Sequence, residues 1–118
     1  MNTTIDFTTL TADKSSWKLL QQLHKTILST SKKVEYRIFP IYIRYDNGER
    51  TVALLYFKGK HIETGEVDLG LNIGSAGLPK NFDDGERMKY PGINCSIKLD
   101  ISNSLTKQLQ DAIMLIKQ

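Results

Sequence analysis

The sequence predicts an α+β domain in which an antiparallel sheet of about four strands packs an N-terminal and a C-terminal helix on one face. Apolar residues recur at helical spacing near both ends of the chain, and the segments between them alternate with the period of two typical of strands. The chain of 118 residues has the usual size of one domain. We therefore expect residues 1–118 to form a single domain with one core.

The first predicted helix covers about Asp13–Ser29. Its apolar residues are three or four positions apart and have lysine and glutamine between them, so one stripe of the helix should be buried. The stripe consists of Trp17, Leu20, Leu23, Ile27 and Leu28. We expect residues 1–10 to be an extended lead-in against the body or a frayed terminus.

Four strands are predicted from the alternation of side chains. The first, about Glu35–Tyr45, contains Pro40, which has no amide for a ladder, so we expect an edge strand with a break site at Pro40. Asp46-Asn-Gly48 predicts a tight hairpin turn, because asparagine and glycine tolerate a positive φ. The other three strands are Thr51–Phe57, Glu66–Ile73 and Ile93–Leu99.

The strand Thr51–Phe57 is apolar on both faces, which is typical of a central strand covered on both sides. If both helices lie on one face, the opposite face needs another cover, for which a second subunit, a ligand and the Gly74–Gly92 segment are the alternatives. We expect a homodimer or a sheltered pocket there. The expected helix-side residues are Val52 and Leu54, and the expected second face carries Ala53, Leu55 and Phe57, with Tyr42 beside them.

The closing helix is predicted over about Asn103–Lys117, with Ser102 or Asn103 as its cap. Its apolar stripe is Leu105, Leu109, Ala112, Ile113 and Ile116.

Composition and charge exclude several classes of protein. The net charge is only +3 and the basic residues are scattered, so we expect no nucleic-acid partner. Cys95 is the single cysteine, so no intrachain disulfide can form, which fits a reducing cytoplasm. The first residues lack the pattern of a signal peptide and no apolar run is long enough to cross a bilayer, so we expect a cytoplasmic protein without membrane association.

The Gly74–Gly92 segment is longer than a connection between two strands needs, and long loops often carry function. It contains basic and aromatic residues that could contact an anion or stack on a ring, and acidic residues that could offer oxygen ligands to a hard cation. The alternative is a solvated crossover held in place by Phe82 and Tyr90. The candidate ligand-binding residues are Lys80, Phe82, Arg87, Lys89 and Tyr90, and the candidate metal ligands are Asp83, Asp84 and Glu86.

No complete catalytic set is visible. His24 and His61 are not at metal-ligand spacing to another histidine or cysteine, and we expect each at the surface or an edge. Cys95 alternates inward with its apolar neighbours, which predicts a small buried hydrophobe. The sequence therefore favours a non-enzymatic binding or protein-interaction domain without a cofactor. The alternatives are a metal chaperone and a small enzyme whose site lies on the 74–92 loop.

The order of the elements over about Trp17–Lys117 resembles that of the small bacterial YdhG-like domains, which are largely uncharacterised. The segments that carry the resemblance are Val34–Phe39, Val52–Phe57, Val67–Leu71 and Ile97–Ser102. Because that group has been linked to a frataxin-like role, the resemblance implies iron binding on an acidic ridge. The chain departs from such a ridge, since its first helix carries Lys14, Lys18 and Lys25 and the predicted pI is about 9.0.

Overall fold

The computed structural model describes residues 14–58, 62, 66–73, 82–84, 89–99 and 113, with side chains from Lys18 onward. Within these residues one helix precedes five strands. The elements are α1 (Lys14–Leu28), β1 (Val34–Ile38), β2 (Tyr42–Asn47), β3 (Arg50–Tyr56), β4 (Val67–Leu71) and β5 (Cys95–Leu99).

The five strands form one antiparallel sheet in the order β1-β2-β3-β4-β5. Each strand therefore pairs with its neighbour in the sequence, which is the simplest arrangement for strands joined by hairpins. β1 lies at one edge. Beside β5 at the other edge, Asp83 and Ser96 exchange two backbone hydrogen bonds of 2.8 Å, so the 82–84 segment runs antiparallel to β5.

The predicted α+β fold with two helices on a sheet of about four strands is wrong. The described residues are mostly β, with five strands and one helix. The extra strand arises because the chain turns at Pro40 and divides the predicted strand Glu35–Tyr45 into β1 and β2. The predicted closing helix lies outside the described residues apart from Ile113, whose side chain is buried in the core.

Two hairpins have turns that the sequence explains. Between β1 and β2, the Phe39 N–H donates to the Tyr42 carbonyl at 2.7 Å, which leaves Pro40 at the tip, where it needs no amide. Between β2 and β3, Asn47 pairs with Arg50 around Gly48, whose φ of +67° suits glycine. The turn predicted at Asp46-Asn-Gly48 is confirmed.

The hydrophobic core lies between α1 and one face of the sheet. Leu20, Leu23 and Ile27 of α1 are fully buried, as the helical stripe predicts, while the side chain of Trp17 lies outside the described residues. A buried hydrogen-bonding contact also joins the two layers, because His24 Nδ1 lies 2.8 Å from Tyr45 Oη. The sheet positions in this core are Val34, Ile43, Tyr45, Val52, Ala53, Leu55, Phe57, Val67, Leu69, Leu71, Ile73, Cys95, Ile97 and Leu99.

The two faces of β3 are assigned differently from the prediction. Tyr45 pairs with Ala53 while Asp46 pairs with Thr51, so Val52 is an extra residue at a bulge. Beyond the bulge, Ala53 and Leu55 point to the helix side with Tyr45 and Ile43, and Leu54 points to the opposite face. The expectation that Leu54 packs on the helices is therefore wrong.

A dimer or a pocket was expected to cover Ala53, Leu55 and Phe57. Neither is required, because these side chains are buried in the core beneath α1. Val52 lies in the same core, as predicted. The face that lacks a helix among the described residues is the one that carries Leu54 and Tyr42.

Two isoleucines of the same hairpin test this core. Ile43 is fully buried, whereas Ile41 is 42% exposed. We expect Ile43→Ala to lower the free energy of unfolding by about 2–5 kcal/mol, because it removes buried methyl groups and leaves a cavity. Ile41→Ala, the matched control, should cost less than about 1 kcal/mol. Urea unfolding of both variants measures the difference, and equal losses would contradict the assignment of the core.

Candidate functional site

The sheet face turned away from α1 carries a second cluster of apolar side chains. Leu54 and Ile93 are buried within it. Around them lie half-buried rings from the β1–β2 turn, from β2 and β3, and from the segment before β5. We call this surface the aromatic face, and its rings are Phe39, Tyr42, Tyr56 and Tyr90.

Three of the rings form a continuous row. Phe39 stacks on Tyr42 with ring centroids 4.7 Å apart and planes 14° apart. Tyr42 lies directly opposite Tyr56 in the β2–β3 pair, and their centroids are 4.9 Å apart. Contacts of this kind between cross-strand aromatic residues stabilise a sheet beyond the area that they bury. The row is therefore held in place by the same register that builds the sheet.

Arg44 lies beside this row and makes three contacts. Its Nε donates to Asp46 Oδ2 at 2.9 Å, and its guanidinium carbon lies 5.2 Å from the centroid of the Phe39 ring. Hydrogen bonds to Asp46 and to Tyr90 raise the pKa of Arg44. Asp46 is itself fixed, since its Oδ1 accepts a hydrogen bond of 2.8 Å from Thr51 Oγ1. The aromatic face thus includes a permanent cation that is held by its neighbours.

At the centre of the aromatic face, β4 contributes a glycine beside Leu54 and a polar residue beside Tyr56. Gly70 lies opposite Leu54 in the β3–β4 pair, so no side chain rises from β4 at that point. Asp68, which is buried, lies opposite Tyr56. Burial raises the pKa of Tyr56, and the nearby Tyr42, Asp68 and Tyr90 raise it further. The Tyr56 hydroxyl therefore stays protonated at neutral pH and can donate as well as accept a hydrogen bond.

The predicted ligand-binding residues do not lie together in the structure. Tyr90 lies on the aromatic face, whereas Phe82 is buried in the core on the helix side. Lys89 is exposed and has a φ of +50°, which is uncommon for a residue with a side chain. Lys80 and Arg87 lie outside the described residues.

Sequence reasoning did not single out Phe39, Tyr56 or Arg44 as site residues. The alternation of bulky and charged residues around Pro40 was the available signal for Phe39 and Arg44. Alternation of this kind indicates a strand but does not tell which face of the sheet a helix covers.

The acidic residues proposed as iron ligands are described only in part. Asp83 and Asp84 are exposed, and Asp83 is the residue that bridges to Ser96. Glu86 lies outside the described residues. Within the part of the chain that the structure describes, no three histidine, cysteine, aspartate or glutamate side chains lie together as a group that could hold a metal ion.

His24 is in the core, so the expectation of a surface or edge position is wrong. Its ring packs edge-on against Tyr36 at 4.7 Å and contacts the hydroxyl of Tyr45. Burial, with a contribution from Tyr36, raises the pKa of Tyr45 well above its ordinary value. The group therefore joins α1 to the sheet as a buried, hydrogen-bonded core contact. His61 lies outside the described residues.

Cys95 is fully buried, which confirms the prediction of a small core hydrophobe. Burial raises the pKa of its thiol to about 12. Because the thiolate is the nucleophilic form, this thiol is chemically inert in the folded protein.

Comparison with known proteins gives no relative. No protein-family model matches the chain, and neither a curated protein nor a solved structure matches it. The resemblance to YdhG-like domains therefore stays a prediction. In the described residues no helix has the length and apolar character needed to cross a membrane. The aromatic face must accordingly be interpreted from its own chemistry.

The buried thiol predicts a specific dependence of stability on pH. In the unfolded chain Cys95 ionises above about pH 8.5, whereas in the folded protein it keeps its proton up to about pH 12. The unfolded state then binds fewer protons, so the free energy of unfolding falls as pH rises. The contribution of the thiol approaches about 1.4 kcal/mol per pH unit.

Cys95→Ala lacks this contribution, so the stability difference between wild type and variant should shrink or reverse progressively above about pH 9. Urea unfolding at a series of pH values measures it. Parallel pH profiles for the two proteins would show that the folded-state thiol ionises normally.

Proposed function

We propose that the chain is a non-enzymatic binding domain whose aromatic face binds an apolar or aromatic group of a protein partner. The observation that carries the proposal is the row formed by Phe39, Tyr42 and Tyr56, which is half buried and stacked on the sheet face opposite α1. Tyr90 extends this surface from the segment before β5.

The composition of the aromatic face favours a protein partner. Tyrosine and arginine are enriched among the residues that dominate protein–protein binding energy. A tyrosine side chain offers a large contact area and loses little conformational entropy when it is fixed. Three tyrosines and Arg44 meet on this face, so it has the residue types of a binding hot spot.

The rings are ordered before any partner arrives. Tyr42 is held between Phe39 and Tyr56, and Arg44 is held by Asp46 and the Phe39 ring. Binding to such a surface costs little further ordering of side chains, which is a main cost of association. The tyrosine hydroxyls and the Arg44 guanidinium would then give direction to contacts that the rings alone would leave unspecific.

We propose that the domain is cytoplasmic and binds its partner without a cofactor. A single, buried cysteine is compatible with reducing conditions. Iron delivery and catalysis on the 74–92 loop are not part of the proposal. The described residues of that loop are 82–84 and 89–92, and they supply an edge bridge, a core side chain and one ring of the aromatic face.

Small aromatic probes test the proposed surface. We expect indole, titrated into ¹⁵N-labelled protein, to shift the amide signals of Tyr42, Leu54, Tyr56 and Gly70, because hot spots bind such fragments weakly. Tyr56→Ala should weaken indole binding several-fold, since the row loses its terminal ring. Tyr56→Phe, the matched control, keeps the ring and should bind like wild type. Shifts confined to other regions would contradict the assignment of the site.

Peptide selection distinguishes a protein partner from a small molecule. Selection of a random peptide library on the wild-type protein should yield peptides with aromatic or large aliphatic residues. Their measured affinity should fall at least about tenfold in Tyr56→Ala, as for a hot-spot residue, and remain in Tyr56→Phe. Indole binding without any selectable peptide would favour a small-molecule ligand instead.

A further inference from the structure

β1 is the exposed edge of the sheet. In the part of the chain that the structure describes, no strand pairs with the outer side of β1. Glu35, Arg37 and Ile38 are exposed there. Edge strands are usually protected by charged side chains, proline, a bulge or a covering segment, because an open edge can pair with another chain. β1 contains no proline, and its two exposed charges, Glu35 and Arg37, are of opposite sign, so they can be complementary to those of a second copy.

The two charged residues of β1 face like charges within the chain. Glu35 lies directly opposite Asp46 of β2, and Arg37 lies directly opposite Arg44. Like charges in directly opposed positions destabilise a strand pair. Arg44 and Asp46 are already paired with each other by the 2.9 Å salt bridge, so β2 offers no complement to the charges of β1.

The sequence of β1 is complementary to itself. The five residues, Val34-Glu-Tyr-Arg-Ile38, have glutamate and arginine placed symmetrically about Tyr36, with a branched aliphatic residue at each end. If two copies of β1 pair in antiparallel fashion about Tyr36, Glu35 of each copy lies opposite Arg37 of the other. Val34 of each copy then lies opposite Ile38 of the other, so the exposed Ile38 gains an apolar neighbour.

The backbone direction at Ile38 suits this pairing, while the Val34 N–H already donates to the Ser31 carbonyl at 3.3 Å. The Phe39 N–H points to β2, since it donates to the Tyr42 carbonyl. Successive backbone groups of a strand point alternately to its two sides, so the N–H of Ile38 points away from β2. In the pairing centred on Tyr36 this group faces the carbonyl of Val34 in the second copy.

The neighbouring registers are less favourable. A shift that centres the pair on Glu35 places two glutamates in opposition, and one centred on Arg37 places two arginines in opposition. Sliding the partner strand by a single residue would place apolar positions of one β1 opposite charged positions of the other. The two α1 helices would then lie on opposite sides of the joined sheet.

We propose that two copies of the chain associate through β1, antiparallel and centred on Tyr36, to form one continuous sheet across a two-fold axis. The interface is isologous, so each charge pair and each aliphatic pair occurs twice. Both α1 helices lie on one side of the joined sheet, and both aromatic faces lie on the other. This inference does not depend on what the aromatic face binds.

Charge reversal tests the register by sedimentation equilibrium of the full chain. Wild type should be a dimer, whereas Glu35→Arg and Arg37→Glu should each raise the dimer dissociation constant by about tenfold or more, because each places two like-charged pairs in the interface. An equimolar mixture of the two variants should form a heterodimer, since every pair in it is again complementary. The double variant Glu35→Arg/Arg37→Glu should also dimerise with itself.

Glu49→Arg is the matched control, because Glu49 is exposed in the β2–β3 turn and the change in charge is the same. It should leave the dimer unchanged. A wild-type protein that stays monomeric at millimolar concentration would overturn the proposal. So would a dimer that is insensitive to both single reversals, or a mixture that does not associate. If one single variant fails to fold, the double variant and the other single variant still decide the outcome.

Discussion

The packing of α1 on one face of the sheet is the contact on which the rest of the structure depends. A sheet has two faces, and in the described residues one helix covers one of them. The stripe of α1 supplies the apolar contacts, and the His24–Tyr45 hydrogen bond fixes a polar point between the layers. Once Tyr45 points to α1, the antiparallel register carries Ala53, Leu71 and Cys95 to the same side.

The opposite face follows from the same register. Tyr42, Arg44 and Leu54 must point away from α1, because adjacent positions along a strand alternate. The structure limits the exposure of this second face by covering Leu54 with rings, which contact one another and remain half exposed. The proposed binding function depends on this partial exposure, since the rings that shield Leu54 also offer contact area to a partner. The edge of β1, which no described strand covers, lies between the two faces, so the proposed self-association there would leave both faces available.

Local features of the fold were predictable, and the assignment of the faces was not. The α1 stripe and the turn at Gly48 follow from local spacing and backbone preference, which require no knowledge of distant residues. β3 is apolar on both sides, so its alternation could not tell which side meets the helix. The bulge at Val52 and the turn at Pro40 then changed the face of Leu54 and the number of strands. Tyr90 was predicted as a binding residue, but its neighbours come from strands far away in the sequence.

Tyr45 lies beneath α1, while Tyr42 and Tyr56 lie on the opposite, accessible face. Hydroxyl-radical footprinting with mass spectrometry measures this most directly, because oxidation of a tyrosine in the folded protein follows its exposure to solvent. We expect oxidation of Tyr42 and Tyr56 and protection of Tyr45, which is fully buried. Oxidation of Tyr45 together with protection of Tyr42 and Tyr56 would show instead that the helix covers the other face of the sheet.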